Sequence, residues 1–176
     1  MSRIQIRSLA SGVACGGATL ALAVLQATAG GLQPQGAEYP LTRGIPGDQV
    51  NPSIALTSAG GFLVWQDAAI DGAGLGIAGT RLSEDGVSPV GSVFRVNAQT
   101  AGDQENPTLA PLPDGGAFCV WQGGSQGFQK IVGRVLRADA SPLAGDLAVS
   151  EGDGENQLDP AVACLSGGDV VVVWAS

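Results

Sequence analysis

Apolar residues in this chain fall into short unbroken runs that recur at a nearly constant interval. Runs over residues 62–65, 117–122 and 170–174 each follow a glycine pair and end at or beside a tryptophan. A four-residue motif precedes each run, as Gln49-Val50-Asn51-Pro52, Gln104-Glu105-Asn106-Pro107 and Gln157-Leu158-Asp159-Pro160. The prolines of the three motifs are 55 and 53 residues apart. This regularity predicts a unit of about 55 residues that recurs almost three times, as a piece of a longer array.

Each unit is predicted to hold four short strands joined by tight turns. In the complete unit, β-forming runs cover residues 53–57, 62–65, 76–82 and 92–97, and Glu84-Asp85-Gly86 gives an Asp-Gly hairpin signal between the last two. The next unit repeats the plan over residues 117–122, 131–136 and 146–150. Glycine is abundant, and no apolar set recurs at helical spacing beyond the N-terminal segment.

The second strand of the unit decides between architectures. Residues 62–65 and 170–174 are apolar throughout, whereas a sheet with one wet face would show alternation, so both faces of this strand must be covered. A two-sheet sandwich would give alternation in most strands. We therefore predict an all-β chain of four-stranded antiparallel repeats, an incomplete β-propeller of about 2.7 blades plus an N-terminal partial-blade strand.

The N-terminal segment has the pattern of a secretory signal. Arg3 and Arg7 precede an apolar run at residues 18–25, and Ala27-Thr28-Ala29 fits the cleavage pattern. The predicted organisation is a signal peptide at 1–29, a linker at 30–36 and a repeat region at 37–176. That region divides into a partial-blade strand, blade one, blade two and a truncated blade three, at 37–46, 47–101, 102–152 and 153–176. We expect a secreted or cell-surface protein without a membrane span, since the apolar run is too short.

Charge and composition exclude several classes of function. Without residues 1–29, the chain has 6 basic and 16 acidic residues and a net charge of −10, which disfavours nucleic acid as a partner. Histidine is absent, which excludes Ser-His-Asp catalysis and histidine-based zinc sites within this chain. Cys119 and Cys164 occupy different places in the repeat, so we expect small buried residues in preference to a disulfide.

The repeats resemble the β-propeller-like repeats of large secreted bacterial proteins. The closest matches are Leu63-Val64-Trp65-Gln66, Gly76-Ile77-Ala78-Gly79-Thr80-Arg81, Val93-Phe94-Arg95-Val96-Asn97 and Gly102-Asp103-Gln104. The resemblance covers residues 37–176 and implies an extracellular binding or scaffold role, with an unknown protein or glycan and further blades of the same protein as partners. The third copy departs most, because Ala175 replaces the glutamine that follows tryptophan.

One loop resembles a degenerate calcium site. Asp67 and Asp71 lie in Asp67-Ala68-Ala69-Ile70-Asp71-Gly72-Ala73-Gly74, which resembles the Asp-x-Asp-Gly loops that offer oxygen ligands to calcium. Calcium requires six to eight oxygens, and this loop offers two carboxylates and carbonyls. The second copy has no acid there, so a plain solvated turn is the alternative. Calcium is the one candidate cofactor, and Asp67 and Asp71 are its candidate ligands.

Catalytic candidates are sparse. The carboxylate pairs Asp103/Glu105 and Asp153/Glu155 suit glycoside hydrolysis, but surface acids in a turn-rich stretch explain them as well. The Gln-x-Asn/Asp-Pro motif could bind a ligand at the ring axis, or its side chains could satisfy backbone amides in a turn. The three tryptophans could stack on a sugar, or they could be part of the hydrophobic core. We therefore predict a non-catalytic secreted repeat module with no catalytic residue, and not an enzyme. The alternative is part of a propeller-type glycoside hydrolase or lyase whose active residues lie outside this segment.

Export is testable directly. Because the basic start, the apolar run and the Ala27-Thr28-Ala29 site form a complete signal pattern, N-terminal sequencing of secreted material should begin at Gly30 or within a few residues of it. A cytosolic protein that retains Met1 would contradict this prediction.

Overall fold

The computed structural model describes residues 21–28, 31–42, 44–151 and 156–176. Every regular element in these ranges is a β-strand. The strands are β1 Ala21–Thr28, β2 Gly31–Pro40, β3 Gln49–Thr57, β4 Gly60–Asp67, β5 Gly76–Leu82, β6 Pro89–Arg95, β7 Asp103–Pro111, β8 Ala117–Gly124, β9 Lys130–Leu136, β10 Leu147–Ala148, β11 Leu158–Cys164 and β12 Val170–Ala175.

The strands form sheets that follow the order of the chain. β3, β4, β5 and β6 form one four-stranded antiparallel sheet, and β7, β8, β9 and β10 form a second with the same order. β11 pairs with β12, and β1 pairs with β2. The predicted all-β fold of four-stranded antiparallel repeats is thereby confirmed. The first strands of the three repeats, β3, β7 and β11, are neighbours, as expected where blades meet near a common axis.

The first two sheets stack face to face through one apolar layer. Phe62, Val64 and Ile77 on one sheet meet Cys119 and Trp121 on the other. Val64 and Cys119 are fully buried, and Trp121 is 1% exposed. At about 25 cal/mol per Å² of apolar surface, such a layer is the main stabilising contribution to the stack.

The opposite face of β8 is buried against the third repeat. Phe118 and Val120 point away from the first sheet and pack with Ile131, and Val162 and Val172 of the third repeat pack against them. Alternate residues of β8 therefore enter two different cores. This explains why the strand is apolar throughout, since side chains along a strand alternate between faces.

A glycine in the third strand of the first and second repeats makes room for this packing. Gly79 pairs with Val64 in β4, and Gly133 pairs with Val120 in β8. A Cβ at Gly133 would lie 2.6 Å from the ring of Phe118. A larger residue would displace the aromatic ring, so glycine at this position lets the ring pack against the strand.

The segment that follows β2 covers the outer face of the first sheet. Leu41 and Ile45 pack against a buried cluster that includes Leu63 and Trp65. The hydroxyl of Tyr39 donates a hydrogen bond to the carbonyl of Val87 at 2.5 Å. Leu41 thus contacts the first sheet much as Val96, 55 residues later, contacts the second. β1 lies within the predicted signal peptide, most of which falls outside the described residues, and the signal remains a prediction.

The predicted Asp-Gly hairpin joins β5 to β6. Asp85 accepts hydrogen bonds from the hydroxyl of Ser83 and from the backbone amides of Val87 and Ser88. The Ser83 hydrogen bond, followed by those from the amides, lowers the pKa of Asp85 from its ordinary value of 3.8 to about 2. Gly86 follows at φ 70°, a conformation that glycine adopts without strain.

The stacked core predicts a sharp contrast between two leucines. Leu136 is 1% exposed and belongs to the layer between the first two sheets, whereas Leu143 is 55% exposed. Leu136→Ala should lower the free energy of unfolding by about 2–5 kcal/mol, because it leaves a cavity. Leu143→Ala should change it by less than about 0.5 kcal/mol. Urea unfolding measures both, and equal losses would contradict the stacked arrangement.

Candidate functional site

Each first strand contains a bulge at the same position of the repeat. Asn51, Asn106 and Asp159 all have φ 51°, in the left-handed region. The strand pairing shifts register at each of them. Asparagine and aspartate tolerate this conformation better than other non-glycine residues, and the following proline suits a bulge because it has no amide to donate. The Asn/Asp-Pro motif therefore encodes a bulge within a strand.

The bulge side chains form a ladder from one repeat to the next. The Nδ2 of Asn51 donates to Oδ1 of Asn106 at 2.7 Å. The Nδ2 of Asn106 in turn donates to Oδ1 of Asp159 at 3.1 Å. The ladder thus links three residues that are 55 and 53 positions apart in the sequence, where the first strands are neighbours. We refer to Asn51, Asn106 and Asp159 as the axial ladder.

Two buried glutamines brace the axial ladder. Oε1 of Gln66 accepts from Asn51 Nδ2 at 3.2 Å and from the amide of Asn106 at 3.4 Å. Oε1 of Gln122 accepts from Asn106 Nδ2 at 2.9 Å and from the amide of Asp159 at 3.0 Å. Each glutamine follows the tryptophan of its repeat and joins its own ladder residue to the backbone of the next.

The third repeat changes two of these positions together. An aspartate replaces the ladder asparagine at Asp159, and Ala175 occupies the position that Gln66 and Gln122 hold in the other copies. Ala175 still pairs with β11, at Leu158. A carboxylate has no N–H to donate to a glutamine oxygen, so the two changes are compatible. Among the described residues, the carboxylate of Asp159 accepts one hydrogen bond, and the residue is exposed.

A second carboxylate enters the same network. Oε2 of Glu105 accepts from Gln129 Nε2 at 2.5 Å and from Gln122 Nε2 at 3.5 Å. Gln122 therefore contacts Glu105 through its nitrogen and the amide of Asp159 through its oxygen. The predicted pair Asp103/Glu105 is divided, because Asp103 turns to the first repeat and accepts from the amide of Leu75 at 3.1 Å. The pair Asp153/Glu155 lies outside the described residues.

The first residue of the motif has the local role that turn chemistry predicts. The Nε2 of Gln49 donates to the carbonyls of Pro46 and Gly47, and that of Gln104 donates to those of Ala101 and Gly102. The side chains of the asparagines make bonds between repeats instead. The glutamine of the motif therefore stabilises a turn, and the asparagine forms the contact between repeats.

The candidate calcium ligands are occupied by protein donors. Asp67 is fully buried, and its two oxygens accept from Trp65 Nε1 at 3.0 Å and from the amide of Ala69 at 2.9 Å. Asp71 accepts from the amide of Ala73 and from Asn97 Nδ2. Nowhere among the described residues do three His, Cys, Asp or Glu side chains come together in a way that could hold a metal ion. Calcium binding by Asp67 and Asp71 stays a prediction.

Two of the three tryptophans lie in the hydrophobic core, and the two cysteines form no disulfide. Trp65 is fully buried and Trp121 nearly so, whereas Trp174 is 40% exposed. The thiols of Cys119 and Cys164 are free. Burial, with a smaller effect from Asp146, raises the pKa of Cys119, so this residue is an unreactive part of the core.

Comparison with solved structures supports the fold. The chain is similar to a thermostable family-43 glycoside hydrolase, with a TM-score of 0.51 and 11% identity over 88% of this chain and 61% of that one. It is also similar to the endo-arabinase from Bacteroides thetaiotaomicron VPI-5482, with a TM-score of 0.47 and 14% identity over 72% of this chain and 50% of that one. The chain thus spans about half the length of the endo-arabinase. No protein-family model and no curated protein matches the chain.

These comparisons confirm the β-propeller class and correct one prediction. The prediction that the chain is not an enzyme is contradicted, because the thermostable family-43 glycoside hydrolase whose fold it shares is an enzyme. The sequence led to the non-catalytic interpretation because it lacks histidine and shows no buried acid pair. At 11% identity the likeness itself shows the fold alone. The described residues include no helix with the length and apolar character that a membrane crossing requires.

The axial ladder predicts different effects for two substitutions of one residue. Asn106→Ala and Asn106→Gly both remove the bonds to Gln122 and Asp159, so both should lower the free energy of unfolding. The Cβ of alanine is strained in the left-handed conformation, so the alanine variant should be less stable than the glycine variant by about 1 kcal/mol. Urea unfolding of both variants measures the difference. Equal stability would show that the φ of 51° is not a constraint on this position.

Proposed function

We propose that this chain is part of a propeller-type glycoside hydrolase, in which the axial ladder faces the substrate. The observation that carries the proposal is the paired change in the third repeat. Asp159 brings a carboxylate to the line of first strands, and Ala175 removes the glutamine that occupies the asparagine side chain in the other copies. The similarity of the fold to a family-43 glycoside hydrolase supports the same proposal.

Asp159 has the chemistry that such a role requires. Glycoside hydrolysis uses two carboxyl groups on either side of the scissile bond. Asp159 is exposed and accepts a single bond from Asn106, which fixes its orientation and leaves the other oxygen to face a sugar hydroxyl or a water molecule. In this proposal, the second carboxyl group comes from residues outside this chain, since Glu105 already accepts from two glutamines.

The proposed substrate is a glycan outside the cell. The basic and apolar start with its Ala27-Thr28-Ala29 site supports export. The net charge of −10 without residues 1–29 disfavours nucleic acid and anionic lipid as partners. The resemblance of residues 37–176 to repeats of large secreted bacterial proteins supports the same location.

Hydrolysis tests the proposal. The protein as it is encoded, with any residues that flank this chain, should release sugar from at least one of a panel of neutral oligosaccharides and chromogenic aryl glycosides. Asp159→Asn should lower kcat by about 10²–10⁴-fold, the usual contribution of an acid or base group. Asp169→Asn is the matched control, because Asp169 is exposed in the turn before β12. Activity that is equal in both variants, or absent on every substrate, would overturn the proposal.

A further inference from the structure

A cavity of about 400 Å³ lies on the outer side of the first two sheets, away from the axial ladder. Its walls come from β5 and β6 of one repeat and from the turn between β9 and β10 of the next. Arg81, Ser92 and Phe94 line one side, and Asp139 and Ser141 line the other. The volume falls within the range of about 300–1,000 Å³ that ligand sites occupy.

Two opposite charges face this cavity without pairing. The guanidinium of Arg81 has no ion pair or hydrogen bond with any side chain or backbone that the structure describes. Asp139 accepts from the amide of Ser141 at 2.8 Å and from its hydroxyl at 2.6 Å, both at Oδ1. Its second oxygen accepts no hydrogen bond from the described residues, and the hydrogen bonds from Ser141, with a smaller effect of the Arg137 charge, lower the pKa of Asp139. The cavity thus offers donors from Arg81 and an acceptor from Asp139.

The turn that carries Asp139 contains an alanine with a left-handed backbone. Ala140 has φ 71° and packs against the core between the first two sheets. The equivalent residue in the first repeat, Gly86, has φ 70° and adopts it without a Cβ. The second repeat therefore accepts a strained alanine at this position, and the packing of its methyl group fixes Asp139 and Ser141 at the rim of the cavity.

Apolar side chains form another part of the lining. Phe94 is half-buried beside the cavity, and Val90 is 40% exposed there. An apolar wall beside one donor group and one acceptor group suits a sugar ring, which has an apolar face and polar edges. Its C–H face packs on aromatic and aliphatic carbon, and its hydroxyls both donate and accept hydrogen bonds.

We propose that this cavity between repeats is a binding site for a neutral sugar residue, distinct from the axial ladder. In this site the guanidinium of Arg81 donates to ring hydroxyls and the carboxylate of Asp139 accepts from them, while Phe94 packs on the ring. An anion would meet Asp139 and a cation would meet Arg81, whereas a neutral polyol satisfies both. The site goes beyond the proposed hydrolysis and needs no turnover to be detected.

Calorimetric titration tests this site on the chain itself. The probes are xylotetraose, arabinotetraose and cellotetraose, with glycine and sodium sulfate as charged comparisons. At least one tetrasaccharide should bind, and Arg81→Gln and Asp139→Asn should each weaken its binding by tenfold or more. Arg95→Gln is the matched control, since Arg95 is exposed on β6 and does not line the cavity. Asp169→Asn should bind as the native chain does, because Asp169 is exposed in the turn before β12 and does not line the cavity.

The proposal is overturned if no tetrasaccharide binds, or if Arg95→Gln weakens binding as much as Arg81→Gln. Tighter binding of glycine or sulfate than of every tetrasaccharide would show a site for charged ligands and would also overturn it. Loss of binding in Asp159→Asn alone would place the sugar at the axial ladder instead. Asp139 is exposed, so its variant keeps the test valid even if Arg81→Gln fails to fold. Hydrolysis that is absent while the tetrasaccharide still binds would count against the proposed function only.

Discussion

Burial of one strand on both of its faces is the constraint on which the rest of this structure depends. β8 places Cys119 and Trp121 in one core and Phe118 and Val120 in another. Such a strand is stable only where a sheet lies on each side, so a repeat draws its core from its neighbours. The glycines opposite Val64 and Val120 and the covering segment at Leu41 follow from the same requirement.

The fold could be predicted where local pattern and tertiary packing agree. The third strand at residues 76–82 and the Asp-Gly turn match the structure, because a β-forming run ends at a residue pair with a strong turn preference. The first strand differs. The sequence pattern predicts a strand over residues 53–57, whereas β3 begins at Gln49, since the Asn-Pro step forms a bulge and the strand continues through it. Asparagine before proline suggests a turn locally, and only the pairing with β4 shows that the strand continues after the bulge.

The axial ladder was only partly visible in the sequence. Recurrence marked the Gln-x-Asn/Asp-Pro motif, but the bonds between Asn51, Asn106 and Asp159 depend on how repeats are placed against one another. Local composition carries no information on that placement. The loss of glutamine at Ala175 was visible by comparing copies, and the matching change at Asp159 was visible in the same way. Taken together, the two changes mark this region in the sequence itself.

The alternation of faces along β8 has a consequence for how such a protein grows in evolution. The front of each repeat carries side chains such as Phe62 and Val64, and the back of the next carries partners such as Cys119 and Trp121. Because every unit brings both a front and a back, duplication of one unit of the gene inserts a piece that already fits both neighbours. The inserted unit needs no new contact surface. Positions that do not take part in packing can therefore change, as Asp159 of the third copy illustrates.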